Sequence, residues 1–217
     1  MDKPALLATV FTDYICPFCY IGDVRLERLR KYFDLKINWC FLEIHPDTPE
    51  SGMPVEELGY DSDLWQQMMD NLRAMAATED IRFRAHDFTT NSHRALLLAE
   101  AAKADGAEVF YRLHRRLFTA YFSDGLNIGD AAVLRCLADE CGVAAGTVER
   151  AWHEEHYEQQ LQRYLAGAHD LGVHATPTVF FGRDNRLNGA LPFDAFLRAA
   201  RAAAATAEAG MDGRETR

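Results

Sequence analysis

Apolar residues along the chain change their spacing twice, and the two changes divide it into three stretches. Residues 6–11 form a short apolar run with β-branched content, which predicts a buried strand. Over 17–33, Ile21, Val24, Leu26, Leu29 and Phe33 recur near helical spacing with Arg25, Glu27 and Arg28 between them. Over 35–44 the period drops to two: Leu35, Ile37, Trp39 and Phe41 alternate with Lys36, Asn38, Cys40 and Leu42, which predicts a second strand. Strand, helix and strand of these lengths fit a parallel pair joined by a crossover helix.

A Pro- and Gly-rich loop, HPDTPESGMPVEELG, ends that unit, and helical spacing then holds to about Leu171. One stripe is Leu64, Trp65, Met68, Leu72 and Met75; another is Leu96, Leu97, Ala99 and Ala102, stopping near Gly106. A third is Val109, Phe110, Leu113, Leu117 and Tyr121. A fourth, Val133, Leu134, Leu137 and Cys141, has Asp130 as its expected N-cap and Gly142 just past its end. One more helix is expected over 147–171. The pattern then reverts: TPTVFFGRDNRLNGAL reads as a hairpin around a turn at 182–185, and Pro192 opens a last helix with Phe193, Phe196, Leu197 and Ala200. The fold class expected is therefore α/β: β-α-β, a long helical block, then β-β-α. The domains are 1–45 with 173–207, an inserted helical domain over 46–172, and a flexible tail over 208–217.

Composition narrows the classes. A chain of 217 residues with 48% hydrophobic and 26% charged content is ordinary for a globular protein that builds its core without staples. A net charge of −10 with no Lys/Arg cluster argues against nucleic acid as a partner. No segment approaches the ~20 apolar residues a membrane span needs, so no membrane partner and a cytoplasmic location are expected. In that compartment a close cysteine pair is catalytic or metal-binding more often than structural.

The pair is Cys16 and Cys19, in TDYICPFCYIG, where the first strand gives way to the first helix. On a helix, residues three apart lie about 60° apart around the axis with a rise of ~4.5 Å, within disulfide reach. Pro17 is a natural first helical residue, which makes Cys16 the N-cap, where unpaired N–H groups favour a negative charge. A lowered pKa and an exposed, nucleophilic thiolate are expected there, with Cys19 one turn behind to resolve a mixed disulfide. A structural zinc site would need four ligands; the nearest candidates, His153 and His156, lie on a distant helix, and no metal is expected. Two inert buried thiols are the remaining alternative. Cys136 and Cys141, five apart, cannot bridge on a continuous helix and read as core. Cys40 reads as packed against the sheet, and His93 and His114 as satisfied structural histidines. The HEEH of 153–156 lacks the zinc-protease spacing, and Met68, Met69 and Met75 read as packing filler. Asp13, three before Cys16, is either a carboxylate that handles the Cys19 proton or a strand-end capping residue.

CPFC after a strand, with ATPTVFF far downstream, resembles the thioredoxin superfamily, and the helical insertion between them resembles its DsbA-like branch. FTDYICPFCYIG, NSHRALLLAEAAKADG and HATPTVFFG are similar to the FrnE-type subgroup of dithiol oxidoreductases, over about residues 5–205. The resemblance implies a protein disulfide oxidoreductase or isomerase with Cys16 as nucleophile and Cys19 as resolving thiol. Pro17 and Phe18 would tune the redox potential, Pro177 would be a cis-proline facing the thiols, and Thr176 would offer backbone groups to an extended substrate. It implies no cofactor beyond the redox-active disulfide, with glutathione as an optional co-substrate. The partners are disulfide or thiol proteins and peptides, for a monomer or a homodimer. Two departures stand out: the family often carries Trp at Phe18, and SGAQP where this chain has NGALP. The same insertion fold also resembles glutathione-dependent kappa-class transferases and 2-hydroxychromene-2-carboxylate isomerases, which typically carry Ser at the place of Cys16. A non-catalytic peptide-binding holdase on the same groove is the third reading.

Overall fold

The computed structural model describes residues 3–84, 88–182 and 184–215, the last eight as backbone alone. Strand β1 (Ala5–Thr12) leads through helix α1 (Pro17–Leu29) into β2 (Asp34–Phe41), which pairs with β1 in parallel from Ala5↔Asp34 to Thr12↔Phe41. Helix α1 stops at Leu29, four residues short of the periodic pattern, yet Phe33 is still buried as the spacing implies. The second strand is shorter than expected for a simple reason. Leu42 N–H still bonds Thr12 O at 2.9 Å, but β1 ends there, so residues 43–44 have no strand to pair with and turn inward.

The region between the two halves of the sheet begins with β3 (Met53–Pro54), which the sequence reads as plain loop, and α2 (Ser62–Thr78). Asp61 caps α2, its carboxylate accepting from the N–H groups of Asp63 and Leu64. The expected stripe on α2 is not a core face: Leu72 and Ala76 are its buried residues, and Leu64 is exposed, because α2 lies at the surface and touches α1 over a narrow seam. Then follow β4 (Phe88–Thr89), paired antiparallel with β3, α3 (His93–Ala102), α4 (Ala107–Phe122) and α5 (Ala131–Glu140). Asp130 caps α5 through Ala132 and Val133, and Gly142 follows it with φ of 76°, as the sequence predicts. Cys141 is buried, but Cys136 is exposed and not core. Leu134, Leu137 and Ala138 set the inward face of α5, and Cys136, two residues past Leu134, points about 200° away from it.

The single helix expected over 147–171 is two, α6 (Ala145–His153) and α7 (Glu155–Asp170), parted by Glu154 in an extended conformation. The break lets α6 pack along α3 while α7, which also touches α3, reaches the sheet at β2. There Ala168 joins Phe11, Cys40 and Val173 in a cluster on the sheet's outer face. Strands β5 (Thr178–Phe181) and β6 (Asn185–Asn188) form the hairpin, with Arg183 of the turn outside the described residues. Strand β5 runs antiparallel to β1, completing the order β2-β1-β5-β6. Helix α8 (Phe193–Glu215) continues as helix through the stretch that reads as a tail, and residues 216–217 lie outside the described residues.

One apolar cluster joins Leu6, Ala8 and Val10 of β1, Leu26 and Leu29 of α1, Leu113 and Leu117 of α4 and Phe196 of α8. Two polar clamps fix α1 within it. In the first, buried His114 of α4 lies 2.7 Å from the Tyr14 hydroxyl through Nδ1 and 3.2 Å from Asp23 Oδ1 through Nε2. Tyr14 donating to Nδ1 and Nε2–H donating to Asp23 satisfies all three groups. In the second, Arg25 donates to Glu79 at 2.8 Å and to the carbonyls of Ala190 and Leu191, while Arg28 donates to the other Glu79 oxygen at 2.6 Å. These bonds account for the backbone of the NGALP loop and leave the Leu191 side chain unexplained.

Arg25 and Glu79 side chains are each 4% exposed. Glu79→Ala therefore strands a buried guanidinium and should cost about 3 kcal/mol in urea denaturation. Arg28→Ala, at a guanidinium that is 40% exposed, should cost under about 1 kcal/mol. Equal costs would show that the charge on Arg25 is not held by Glu79.

Candidate active site

The sheet delivers Asp13, Tyr14, Ile15 and Cys16 at the end of its central strand β1, where parallel pairing with β2 gives out. Cys16 takes an extended conformation, φ −87° and ψ 111°, with Pro17 as the first residue of α1. It is the N-cap, and its carbonyl accepts from Cys19 N–H at 3.0 Å and Tyr20 N–H at 3.4 Å. The Thr176–Pro177 peptide bond is cis, and the Cys16 thiol donates to Thr176 O at 3.5 Å, across 160 residues of sequence. Thr178 Oγ donating to Ala175 O and Gly189 N–H donating to Pro177 O, both at 2.7 Å, hold that turn. The Pro177 ring sits against α1 so closely that a Cβ on Gly22 would lie 3.1 Å from Cγ. Gly22 is thus a site residue that helical periodicity could not flag.

The expected exposure of Cys16 is not found: the residue is 4% exposed, and Cys19 2%. The Thr176–Pro177 turn lies where solvent would otherwise reach the sulfur. Burial alone pushes the Cys16 thiol up. Hydrogen bonds from the Cys19 thiol, the Thr176 side chain and the Cys19 N–H outweigh it, and the net pKa is lowered despite the nearby charge of Asp13. Cys19 goes the other way, driven well up by burial and then by its neighbour Cys16. One motif thus holds one acidic thiol and one reluctant one, which is the asymmetry that stepwise disulfide exchange needs. Both are free thiols in this structure.

Phe18 is half-buried and packs with Ile21, Leu72 and Ala190, joined by Met69 and Met75. Beside the motif Tyr60 stacks on Trp65 at 5.5 Å, and its hydroxyl lies 3.3 Å from His45 Nε2. Burial and then the Cys16 charge raise the Tyr60 pKa. No feature of the sequence singles out Tyr60, whose approach depends on how α2 is laid down.

Asp13 is fully buried. Its carboxylate accepts from Ile15 N–H at 3.2 Å and Ile44 N–H at 2.8 Å. Its backbone N–H acts on Cys19 in the direction that favours the thiolate. Both readings of Asp13 thus have a structural counterpart, a turn-capping role and a position beside Cys19. Among the described residues no group of three or more His, Cys, Asp or Glu side chains is placed to hold a metal. His153 and His156 lie on the surface beside Glu149 and Glu154.

A four-stranded mixed sheet, a Cys-x-x-Cys at the start of its first helix, a cis-proline opposite and a helical block between them define a thioredoxin fold with an insertion. The model of the DSBA-like thioredoxin domain family matches residues 9–201, and the chain belongs to that family. It is 26% identical over 191 residues to the uncharacterized protein YwbO of Bacillus subtilis, across 88% of this chain and 93% of that one. Among solved structures it resembles a probable DsbA oxidoreductase of Streptomyces coelicolor. The TM-score is 0.80 and the identity 24%, over 91% of this chain and 89% of that one. It also resembles the cytosolic disulfide reductase DsbM of Pseudomonas aeruginosa, with a TM-score of 0.67 and 20% identity over 95% and 99%. DsbM has a second structure with GSH. Among the described residues no helix is long and apolar enough to cross a membrane.

Burial raises the Asp13 carboxyl from 3.8 to about 7, only partly offset by the Ile44 N–H, the nearby Ser92 hydroxyl and the Ile15 N–H. Between those values the folded protein keeps a proton that the unfolded chain has lost. The stability this confers is full below about pH 4 and is lost as the pH rises through 7, by at most about 4 kcal/mol. Asp13→Asn should therefore gain about 2–4 kcal/mol over the native protein at pH 8 in urea denaturation, and nothing at pH 4. Identical pH slopes for the two proteins would refute the shift.

Proposed function

We propose that the protein is a thiol–disulfide oxidoreductase acting on disulfide-containing or thiol proteins and peptides. The observation that carries this reading is the Cys16 sulfur at the N-cap of α1, within 3.5 Å of Thr176 O beside a cis-proline, with Cys19 one turn behind. The Cys16 thiolate attacks one sulfur of a substrate disulfide; that S–S bond breaks and the other substrate sulfur leaves as a thiolate. Cys19 then loses its proton and attacks Cys16, closing the internal disulfide and releasing the second substrate sulfur. The first turn of α1 favours the anion on Cys16 whenever that sulfur is the leaving group.

Thr176 and Pro177 are the residues that meet the substrate chain, because their turn lies directly against the reacting sulfur. Pro17 and Phe18 set the conformation between the thiols and, through the cluster that Phe18 shares with Leu72 and Met75, link it to α2. Asp13, buried beside Cys19 and raised to about 7, takes the resolving thiol's proton. Run in reverse the same steps oxidise a dithiol, and halted at the mixed disulfide they permit isomerisation. Glutathione is the thiol partner this reading takes in a cytosolic setting, by likeness to DsbM, which is described as cytosolic and has a structure with GSH. A cysteine rather than a serine at position 16 speaks for dithiol exchange over the transferase and chromene-isomerase reading. A holdase would have no use for the split acidity of the two thiols.

Insulin-disulfide reduction tests the proposal. Cys16→Ser should lose at least about a hundredfold in rate. Cys19→Ser should accumulate a mixed disulfide on Cys16, visible by mass spectrometry. Activity unchanged in both variants would end the assignment.

A further inference from the structure

Asp13 has no exposure of its own, so whatever governs its proton must do so from inside the fold. The inserted helices bring it one group that has no other task. Ser92 is the N-cap residue of α3, yet its hydroxyl does not cap the helix; Asn91 Oδ1 does that work, accepting from His93 N–H at 2.8 Å. Ser92 Oγ is fully buried and has no hydrogen-bond partner. The buried Asp13 carboxyl is its neighbour, and the hydroxyl acts to lower that carboxyl's pKa.

The residues on either side of Ser92 reach the same carboxyl by a second route. Asn91 Nδ2 donates to Glu43 Oε1 at 2.7 Å and to Pro46 O at 3.1 Å, fixing the turn that follows β2. That turn carries Ile44, whose N–H holds Asp13 at 2.8 Å. His93 Nδ1 lies 3.1 Å from the other Glu43 oxygen, and its Nε2 lies 2.9 Å from Glu158 Oε2 of α7. His93 and Glu158 open onto a surface cleft of about 400 Å³. A ladder of side chains thus runs from solvent, through Glu158, His93 and Glu43, to the backbone that grips Asp13.

We propose that the Asn91–Ser92–His93 segment of the helical insertion is a positioning element that controls when Asp13 holds its proton, Ser92 through its hydroxyl and His93 by neutralising Glu43. This rests on the role given to Asp13 above. The Ser92 hydroxyl favours the ionised carboxylate. Glu43, as a neighbouring anion, favours the protonated form, and an imidazolium at His93 offsets Glu43. The two glutamates keep His93 protonated to higher pH than an ordinary histidine, chiefly through the Glu43 hydrogen bond. The other titratable groups that face Asp13 are Tyr14, Cys16 and Cys19 from its own loop and α1, and Tyr121 from α4. Those on α1 change with the redox state and not with the insertion.

The arrangement makes a prediction about sign that packing alone does not. The Asp13 carboxyl can be followed by carbon-13 NMR of the reduced protein, assigned with Asp13→Asn. Ser92→Ala and His93→Gln should move its midpoint up, and Glu43→Gln should move it down, each by roughly half a pH unit. Ser92→Thr, which keeps the hydroxyl, should stay at the native value. The same shifts should appear in stopped-flow reaction with dithiobis(nitrobenzoate). The second thiol release, which needs Cys19 deprotonated, should move with the Asp13 midpoint, while the first release, from Cys16, should hold its pH dependence. Midpoints that do not move, or that move in one direction in all three variants, overturn the inference. If Ser92→Ala fails to fold, the opposite signs at the partly exposed His93 and Glu43 decide it. The NMR titration stands even if the native protein proves to exchange no disulfides, an outcome that removes the proposed function without touching the control of Asp13.

Discussion

A sulfur anion withdrawn from water needs hydrogen-bond donors held in place before it forms, and the placement of α1 supplies them. Cys16 is nearly fully buried, so burial by itself would keep it a thiol. Its acidity comes from the first turn of α1 and from Thr176, and these act only while the helix keeps its angle to the sheet. The fold spends its most costly interior groups on that angle. Tyr14, His114 and Asp23 tie the loop before the motif and the helix after it to α4. Arg25 and Glu79 tie the next turn to the end of α2 and to the loop after β6. Gly22 lets the Pro177 ring come close enough to put Thr176 over the sulfur.

The same burial that Cys16 overcomes is what keeps Cys19 a thiol. Lying one turn deeper, Cys19 has no helix N-terminus to help it, and an anion on Cys16 opposes a second one nearby. Two identical side chains three residues apart are thus given opposite tendencies by position alone. The exchange proposed above requires a proton acceptor near Cys19, and a carboxyl that titrates near neutrality is suited to take a proton and release it again. Asp13 has that acidity because it is buried, while the N–H groups of Ile44 and Ile15 keep it from rising further.

Much of this was legible in the sequence because it depends on neighbours in the chain. The parallel strand pair, the Pro17 start that makes Cys16 an N-cap and the Asp130 cap of α5 each follow from local spacing and backbone chemistry. The features that were not legible depend on contacts between distant segments. Nothing local marks Glu154 as a break; it turns the chain so that α7 reaches β2 as well as the α3 that α6 packs on. Cys136 has a core-like composition around it but falls on the outer face of α5. Cys16 loses its exposure to a turn 160 residues away. His114 could be read as a satisfied structural histidine, but not that its two partners flank the motif.

The helical insertion is therefore part of what surrounds the two cysteines and not a body attached beside them. Helix α4 supplies His114, the end of α2 supplies Glu79, the loop before α2 supplies Tyr60, and the start of α3 supplies Asn91, Ser92 and His93. Without them the sheet and α1 would still present two thiols and a cis-proline. Asp13 would then lose the segment that orders the turn carrying Ile44, and α1 would lose both polar clamps. A minimal sheet-and-helix unit can arrange sulfur atoms, but the acidity of each depends on charges and donors that must sit in fixed positions around it. The length of the insertion is used to bring those groups to one point from several directions, which a single crossover helix could not do.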